Sequence, residues 1–268
     1  MKKNKQTPLW RVTGQDTKGI SYLLGTMHLK PNNGTSKALQ TYYNYIDLCE
    51  VFATEFPLNE VNPVTVSQFS LFSDGKKLTD YIPEKKFKKI EQQLLKSLGM
   101  PLRSLLRMKP LIIVNLISEQ LLADLQPISM DRDLWNRAEK QGKTLTGIET
   151  FEEQLQILQR VPIDYQIKNL MRISQKLTAY KKQLLHLSEV YESGDIQKLY
   201  KLSKKGLGSV RKFMIRERNH LMAERIHHKI KDHNLFCAIG AGHLAGKDGV
   251  LRLLKQKGLS VKPIKLKG

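Results

Sequence analysis

Two short apolar runs open the chain, "LWRVT" at 9–13 and "ISYLLG" at 20–25, separated by "GQDTKG", whose Gly and Asp suit a tight turn. β-prone runs joined through turn residues predict a hairpin. Residues 36–48, "SKALQTYYNYIDL", repeat their apolar positions at helical spacing, and "EVFATEF" at 50–56 reads as the next strand. Strand, helix, strand is a βαβ unit, which implies parallel pairing. From about 79 to 125 the period is helical: "PEKKFKKIEQQLLKSLG" starts at a Pro and stops at a Gly, and "LRSLLRMKPLIIVNLISEQLLADL" carries a break or kink at Pro110. A helix over "MDRDLWNRAEKQG" ends at Gly142, and "KTLTGIET" at 143–150 is a short strand. Residues 151–232 are almost continuously amphipathic, broken at "VPID", "ESGD" and "KKGLGS", which predicts three or four long helices. A strand in "NLFCAIGAGH" at 234–243, a helix in "KDGVLRLLKQKG" at 247–258 and a strand in "LSVKPIKL" make a second βαβ unit.

This order predicts an α/β fold. A mixed central sheet flanked by helices is assembled from about 1–78, 143–150 and 233–268, with a large helical insertion or cap over about 79–142 and 151–232, all in one domain. One internal echo sharpens the expectation. "SYLLGTMHL" and "LFCAIGAGHL" are both apolar strands ending in Gly, two further residues, His and Leu. If the two strands are parallel members of one sheet, His28 and His243 emerge at the carboxyl edge, where α/β proteins bind ligands.

Composition then bounds the function. The 45 Lys and Arg against 25 Asp and Glu give a net charge of +20, but the excess is scattered, from Lys2, Lys3 and Lys5 to Arg216 and Arg218. No basic strand interleaved with aromatics and no recognition-helix pattern accompanies it, which weighs against nucleic acid. The N-terminal "MKKNKQTPLWRVTGQ" has a basic start without the apolar core of a signal peptide, so a cytoplasmic location is expected. Runs such as "LIIV" fall far short of a membrane span. Cys49 and Cys237, with no partner at metal-like spacing, read as buried small hydrophobes. The pattern carries no signal for an oligomeric state.

Histidines at strand ends are chemically useful because imidazole ligates transition metals and titrates near neutrality. Glu55, in "ATEF", adds a carboxylate to an otherwise apolar strand, which is costly to bury unless it is paired, coordinating or reacting. The plainer alternative is that Glu55 caps the strand or pairs with an Arg. Gly25 and Gly240 permit a close backbone approach beside the histidines, and "GAGH" with its continuation "LAGKDG" offers amides at a helix N-terminus, an anion-binding geometry. No H-E-x-x-H helix is present, and His186, His220, His227, His228 and His233 read as surface or helix-packing residues. Asp131, in a charged run ahead of a helix, reads as a capping residue.

The segments "YLLGTMH", "VFATEF", "MDRDLWNRAEKQGKTLTGIETFEEQL", "RERNHLMAERI" and "CAIGAGHLAGKDGVLRLLKQKGLSVKPI", in that order, resemble the TraB/GumN family, which is similar to the Tiki metalloproteases. The resemblance runs over nearly the whole chain. It maps His28 and His243 to the two G-x-x-H histidines and Glu55 to the acidic residue, the set that would hold a divalent metal in the Tiki branch, with Mn or Co ahead of Zn. Arg218 and Asn219 match an Arg-Asn pair, and Asp131, Glu149 and Thr150 match further family positions. The resemblance implies metal-dependent hydrolysis of a peptide or ester bond, with Glu55 as ligand or general base and Arg218 stabilising an oxyanion or orienting a carboxylate. Two alternatives stay open. Erythromycin esterases, distantly similar in arrangement, imply a metal-free His/Glu site, and a regulatory protein that binds a peptide, metal or haem would need no turnover. Family members tied to peptide pheromone signalling and to polysaccharide loci leave the substrate unassigned.

Overall fold

Strands with no polar face set the architecture. In the computed structural model, which describes residues 7–27, 35–123 and 129–265, six strands form one mixed sheet: β1 (Leu9–Thr13), β2 (Ser21–Thr26), β3 (Val51–Thr54), β4 (Thr144–Gly147), β5 (Leu235–Gly240) and β6 (Ser260–Pro263). Their order is β4-β3-β5-β2-β1-β6. β2 and β3 are buried at every position and β5 at all but its last, the pattern of central parallel strands covered on both faces. β4, β3, β5 and β2 run parallel, and β1 is antiparallel to both β2 and β6. The edge strands β4 and β6 are four residues each, and β6 carries Lys262 and Pro263, which discourage pairing with another chain.

The opening hairpin forms as the turn chemistry predicts, with Leu9 opposite Leu24 and Val12 opposite Ser21. Both predicted βαβ units are present, but neither closes on a neighbouring strand. β5 sits between β2 and β3, and β2 and β1 sit between β5 and β6. A periodic pattern reports strand direction through the crossover but not how many strands the crossover passes.

Eleven α-helices accompany the sheet among the described residues: α1 (Thr35–Asp47), α2 (Pro63–Ser70), α3 (Glu84–Leu98), α4 (Pro110–Leu121), α5 (Met130–Lys140), α6 (Phe151–Gln159), α7 (Ile163–Gln175), α8 (Leu177–Glu192), α9 (Ile196–Leu207), α10 (Arg218–Asp232) and α11 (Val250–Gln256). Pro110 starts α4 and does not kink a longer helix, since a missing N–H costs nothing at the first helical position. α3 stops where Gly99 adopts φ 63°, a left-handed C-cap. The stretch 151–232 holds five helices (α6 to α10), one more than the upper expectation; the extra break, at Lys176, carries neither Gly nor Pro.

The chain divides into two compact units. The first draws on Met1–Glu60, Gln126–Gln154 and His186–Gly268; the second draws on Val61–Leu125 and Leu155–Leu185, and its described residues form helices, 3-10 turns, loops and an isolated bridge between Leu71 and Met108. In the first unit, alternate strand residues feed opposite faces of the sheet. Leu23, Ala53, Cys237 and Ile239 pack with Met222, Ala223, Ile226 and Ile230 of α10. Tyr22, Leu24, Phe52 and Phe236 pack with Ile46 of α1 and Leu134 and Trp135 of α5. The Phe52 ring stacks on Phe236 at 5.8 Å and meets the Trp135 ring edge-on at 6.2 Å, and burying one such side chain contributes about 1.5–3 kcal/mol. Cys49 and Cys237 are free, buried thiols, and burial pushes Cys49 up to about 12, so both serve as packing groups. No described helix is long and apolar enough to cross a membrane.

Candidate functional site

The carboxyl ends of β3, β4 and β5 are adjacent, and the residues leaving each strand converge on one place. Past β3 and β4 the ladder continues for two more residues: the Ile148 amide donates to the Thr54 carbonyl at 2.9 Å and the Glu149 amide to the Glu55 carbonyl at 2.6 Å. Glu55 and Glu149 are thereby held side by side. Two like charges at one sheet edge require a cation, and Arg218, the first residue of α10, supplies it. Its Nε donates to Glu149 Oε1 at 2.9 Å, and one terminal nitrogen donates to Glu149 Oε2 and Glu55 Oε2, both at 2.6 Å. The Gln154 amide adds donations of 3.0 Å to both carboxylates.

A π-helical stretch, Lys212–Glu217, runs directly into α10. Its end brings Arg218 and Asn219, both buried, to the inner face. The histidine comes from the end of β5, where the chain makes a 3-10 turn over Ala241–His243. His243 is 5 % exposed. Its Nδ1 lies 2.5 Å from Asn219 Oδ1, its Nε2 3.3 Å from the second terminal nitrogen of Arg218 and 3.8 Å from Glu55 Oε1. Asn219 Nδ2 donates to the Asp248 carbonyl at 2.7 Å, which fixes the amide's orientation and turns its oxygen toward the imidazole. Nδ1 therefore carries a proton.

Burial pushes the Glu55 carboxyl up, but His243, Arg218 and the Gly240 amide, which donates to Oε1 at 2.7 Å, outweigh it and hold the group well below the usual carboxylate range. For Arg218, burial acts downward and the two glutamates outweigh it, leaving the guanidinium protonated at any working pH. The Gly240 backbone must approach this closely: a Cβ there would stand 2.9 Å from Glu55 Oε1. The anion served by "GAGH" is thus the Glu55 carboxylate, and the amides expected from "LAGKDG" precede a helix, α11, of seven residues.

Of the residues singled out in the sequence, Glu55, Glu149, Arg218, Asn219 and His243 meet here. His28 lies outside the described residues. Asp131 lies in the first turn of α5, where its charge bears on Tyr191. Thr150 opens α6 through a capping box with Glu153: the Glu153 amide donates to Thr150 Oγ1 at 3.1 Å and the Thr150 amide to Glu153 Oε2 at 2.8 Å. The five remaining histidines are exposed or half-exposed and outside the cluster. Gln154 was not legible as a site residue, since nothing in "ETFEEQ" separates it from an ordinary helical glutamine.

The two nearest metal donors, Glu55 Oε1 and His243 Nε2, face each other across 3.8 Å, and the proton on Nδ1 held by a carbonyl-type oxygen is the usual support of a ligating imidazole. Among the described residues no group of three His, Cys, Asp or Glu is placed to hold a metal ion. Glu55 and His243 are the two members of the expected His28, Glu55 and His243 set that the described residues include.

These features define an α/β protein with a buried carboxylate, guanidinium and imidazole cluster at the carboxyl edge of its parallel strands. The model of the TraB/PrgY/gumN family matches residues 8–263, and the chain belongs to that family. No curated protein and no solved structure matches it.

Proposed function

We propose that the protein is a hydrolase of a peptide or ester bond in which His243 activates water beside Glu55. The observation that carries this reading is the chain of contacts from the Asp248 carbonyl through Asn219 to His243, which leaves Nε2 as the basic nitrogen of the neutral ring. Arg218 and the Gly240 amide both donate to the Glu55 carboxylate and hold it ionised; that carboxylate, 3.8 Å away, stabilises the imidazolium formed when Nε2 takes a proton from water. Two carboxylates and one guanidinium carry a formal charge of −1, so protonating His243 brings the cluster to neutrality. Arg218, already committed to both glutamates, fixes their geometry and presents positive charge toward Nε2, where a developing oxyanion gains from it. In the metal-dependent form a divalent ion held by Glu55, His243 and His28 would supply Lewis acidity, polarising the scissile carbonyl and acidifying water, and Nε2 would then be a ligand in place of the base.

The test uses the purified full chain on nitrophenyl esters and unstructured peptides, with chelator or with added Mn, Co or Zn, and elemental analysis beside His28→Ala. Turnover is expected in the wild type and lost in His243→Gln at unchanged circular dichroism. Loss with chelator and recovery with one ion assigns the metal-dependent form; chelator-insensitive turnover assigns the metal-free one. Turnover that survives His243→Gln, or no turnover on any substrate under any condition, refutes the hydrolase.

A further inference from the structure

A cleft of about 550 Å³ lies wholly within the helical unit and shares no residue with the Arg218 cluster. That volume falls in the range of small-molecule pockets. Its apolar lining comes from Phe69 of α2, Leu111 and Ile112 of α4, and Leu155 and Leu158 of α6. Glutamine and hydroxyl side chains complete it, and one charged side chain enters it, Lys109.

Lys109 immediately precedes α4, and its backbone is pinned by donation to the Ser70 carbonyl at 2.8 Å. Its Nζ lies 4.3 Å from the centroid of the Phe69 ring. Among the described residues no carboxylate lines the cleft or pairs with this ammonium. Burial draws the group below the ordinary lysine range, so part of its hydration is already lost. A ring face returns only a fraction of what a carboxylate would. The first free amide of α4, that of Leu111, is taken by Gln166 Oε1 at 3.2 Å, so Lys109 is the charged donor that the lining offers an incoming anion.

We infer that this cleft binds a small amphipathic acid, its carboxylate on Lys109 and its hydrocarbon body against Leu111, Ile112, Leu155 and Leu158. The single cation sets the charge of the head, and the aliphatic lining sets the body. Neither the hydrolase reading nor its failure bears on this site.

Calorimetric titration of the full chain with decanoate below its micellar concentration tests it, with decanol as the uncharged control. One saturable site is expected, with affinity about tenfold lower in Lys109→Met and about tenfold lower for decanol. Leu158→Trp, which fills the cleft without touching the charge, should abolish binding, and urea unfolding of each variant separates loss of binding from loss of fold. The inference is overturned if decanoate shows no saturable binding, if decanol binds equally well, or if folded Lys109→Met and Leu158→Trp bind as the wild type does.

Discussion

Arg218→Met removes the one cation between two carboxylates while keeping most of the aliphatic bulk. In the wild type the guanidinium makes three contacts with Glu149, at 2.9, 3.1 and 2.6 Å, and one with Glu55 at 2.6 Å. The Glu149 side chain has no solvent exposure, so the substitution strands a buried charge that keeps, among the described residues, the hydrogen bond from the Gln154 amide and the more distant charge of Arg225. Breaking a buried pair by deleting one partner costs about 3–5 kcal/mol, a large part of the 5–15 kcal/mol typical of a whole domain. Urea unfolding at pH 7, monitored by circular dichroism, should show that loss as a lowered midpoint at unchanged slope. The cost lies in the charge left behind, so Arg218→Met combined with Glu149→Gln should recover about 1–3 kcal/mol of it. A single variant that loses under about 1 kcal/mol, or a double variant no more stable than the single, refutes this account of the cluster.

The same geometry sets three further outcomes. Asn219→Leu removes the acceptor for His243 Nδ1 and the donor to the Asp248 carbonyl; turnover should fall about 10–100-fold with about 1–3 kcal/mol of stability lost, and an unchanged rate constant would show that the tautomer is set elsewhere. Gly240→Ala drives a methyl to 2.9 Å from Glu55 Oε1 and should cost about 1–3 kcal/mol, whereas Gly206→Ala, with nothing within 4 Å of its new Cβ, should gain about 0.5–1 kcal/mol in the helix; equal urea midpoints for the two would contradict the close approach. Because the folded-state value of Glu55 is depressed, its contribution is present above the unfolded value of about 4.3 and is lost as pH falls below it. The stability gap between wild type and Glu55→Gln should accordingly shrink from pH 7 toward pH 3, and a gap constant over that range counts against an ionised, paired Glu55.

The strands, their direction and most helices were legible along the chain because each rests on local chemistry. A run with no polar face must be buried on both sides, as in "FCAI" of β5, and Gly99 or Pro110 marks a helix end through its own backbone. Where local signals were absent the reading failed, as at Lys176. The βαβ periodicity likewise did not report that β5 inserts between β2 and β3. That insertion makes the site: it lays the ends of β3, β4 and β5 together and lets Glu55, Glu149 and His243 meet Arg218 across as many as 163 residues of chain. Glu55 was conspicuous as a carboxylate in an apolar strand, and it is paired with an arginine and faces a histidine. Its partner Glu149, the tautomer of His243 and the role of Gln154 depend on distances between elements remote in sequence. Periodicity and turn residues record what each segment must bury or where it must stop; which polar groups then share a low-dielectric edge, and so tune one another's charge, is set by strand order and by the packing of α6 and α10 that brings Gln154 and Arg218 to that edge.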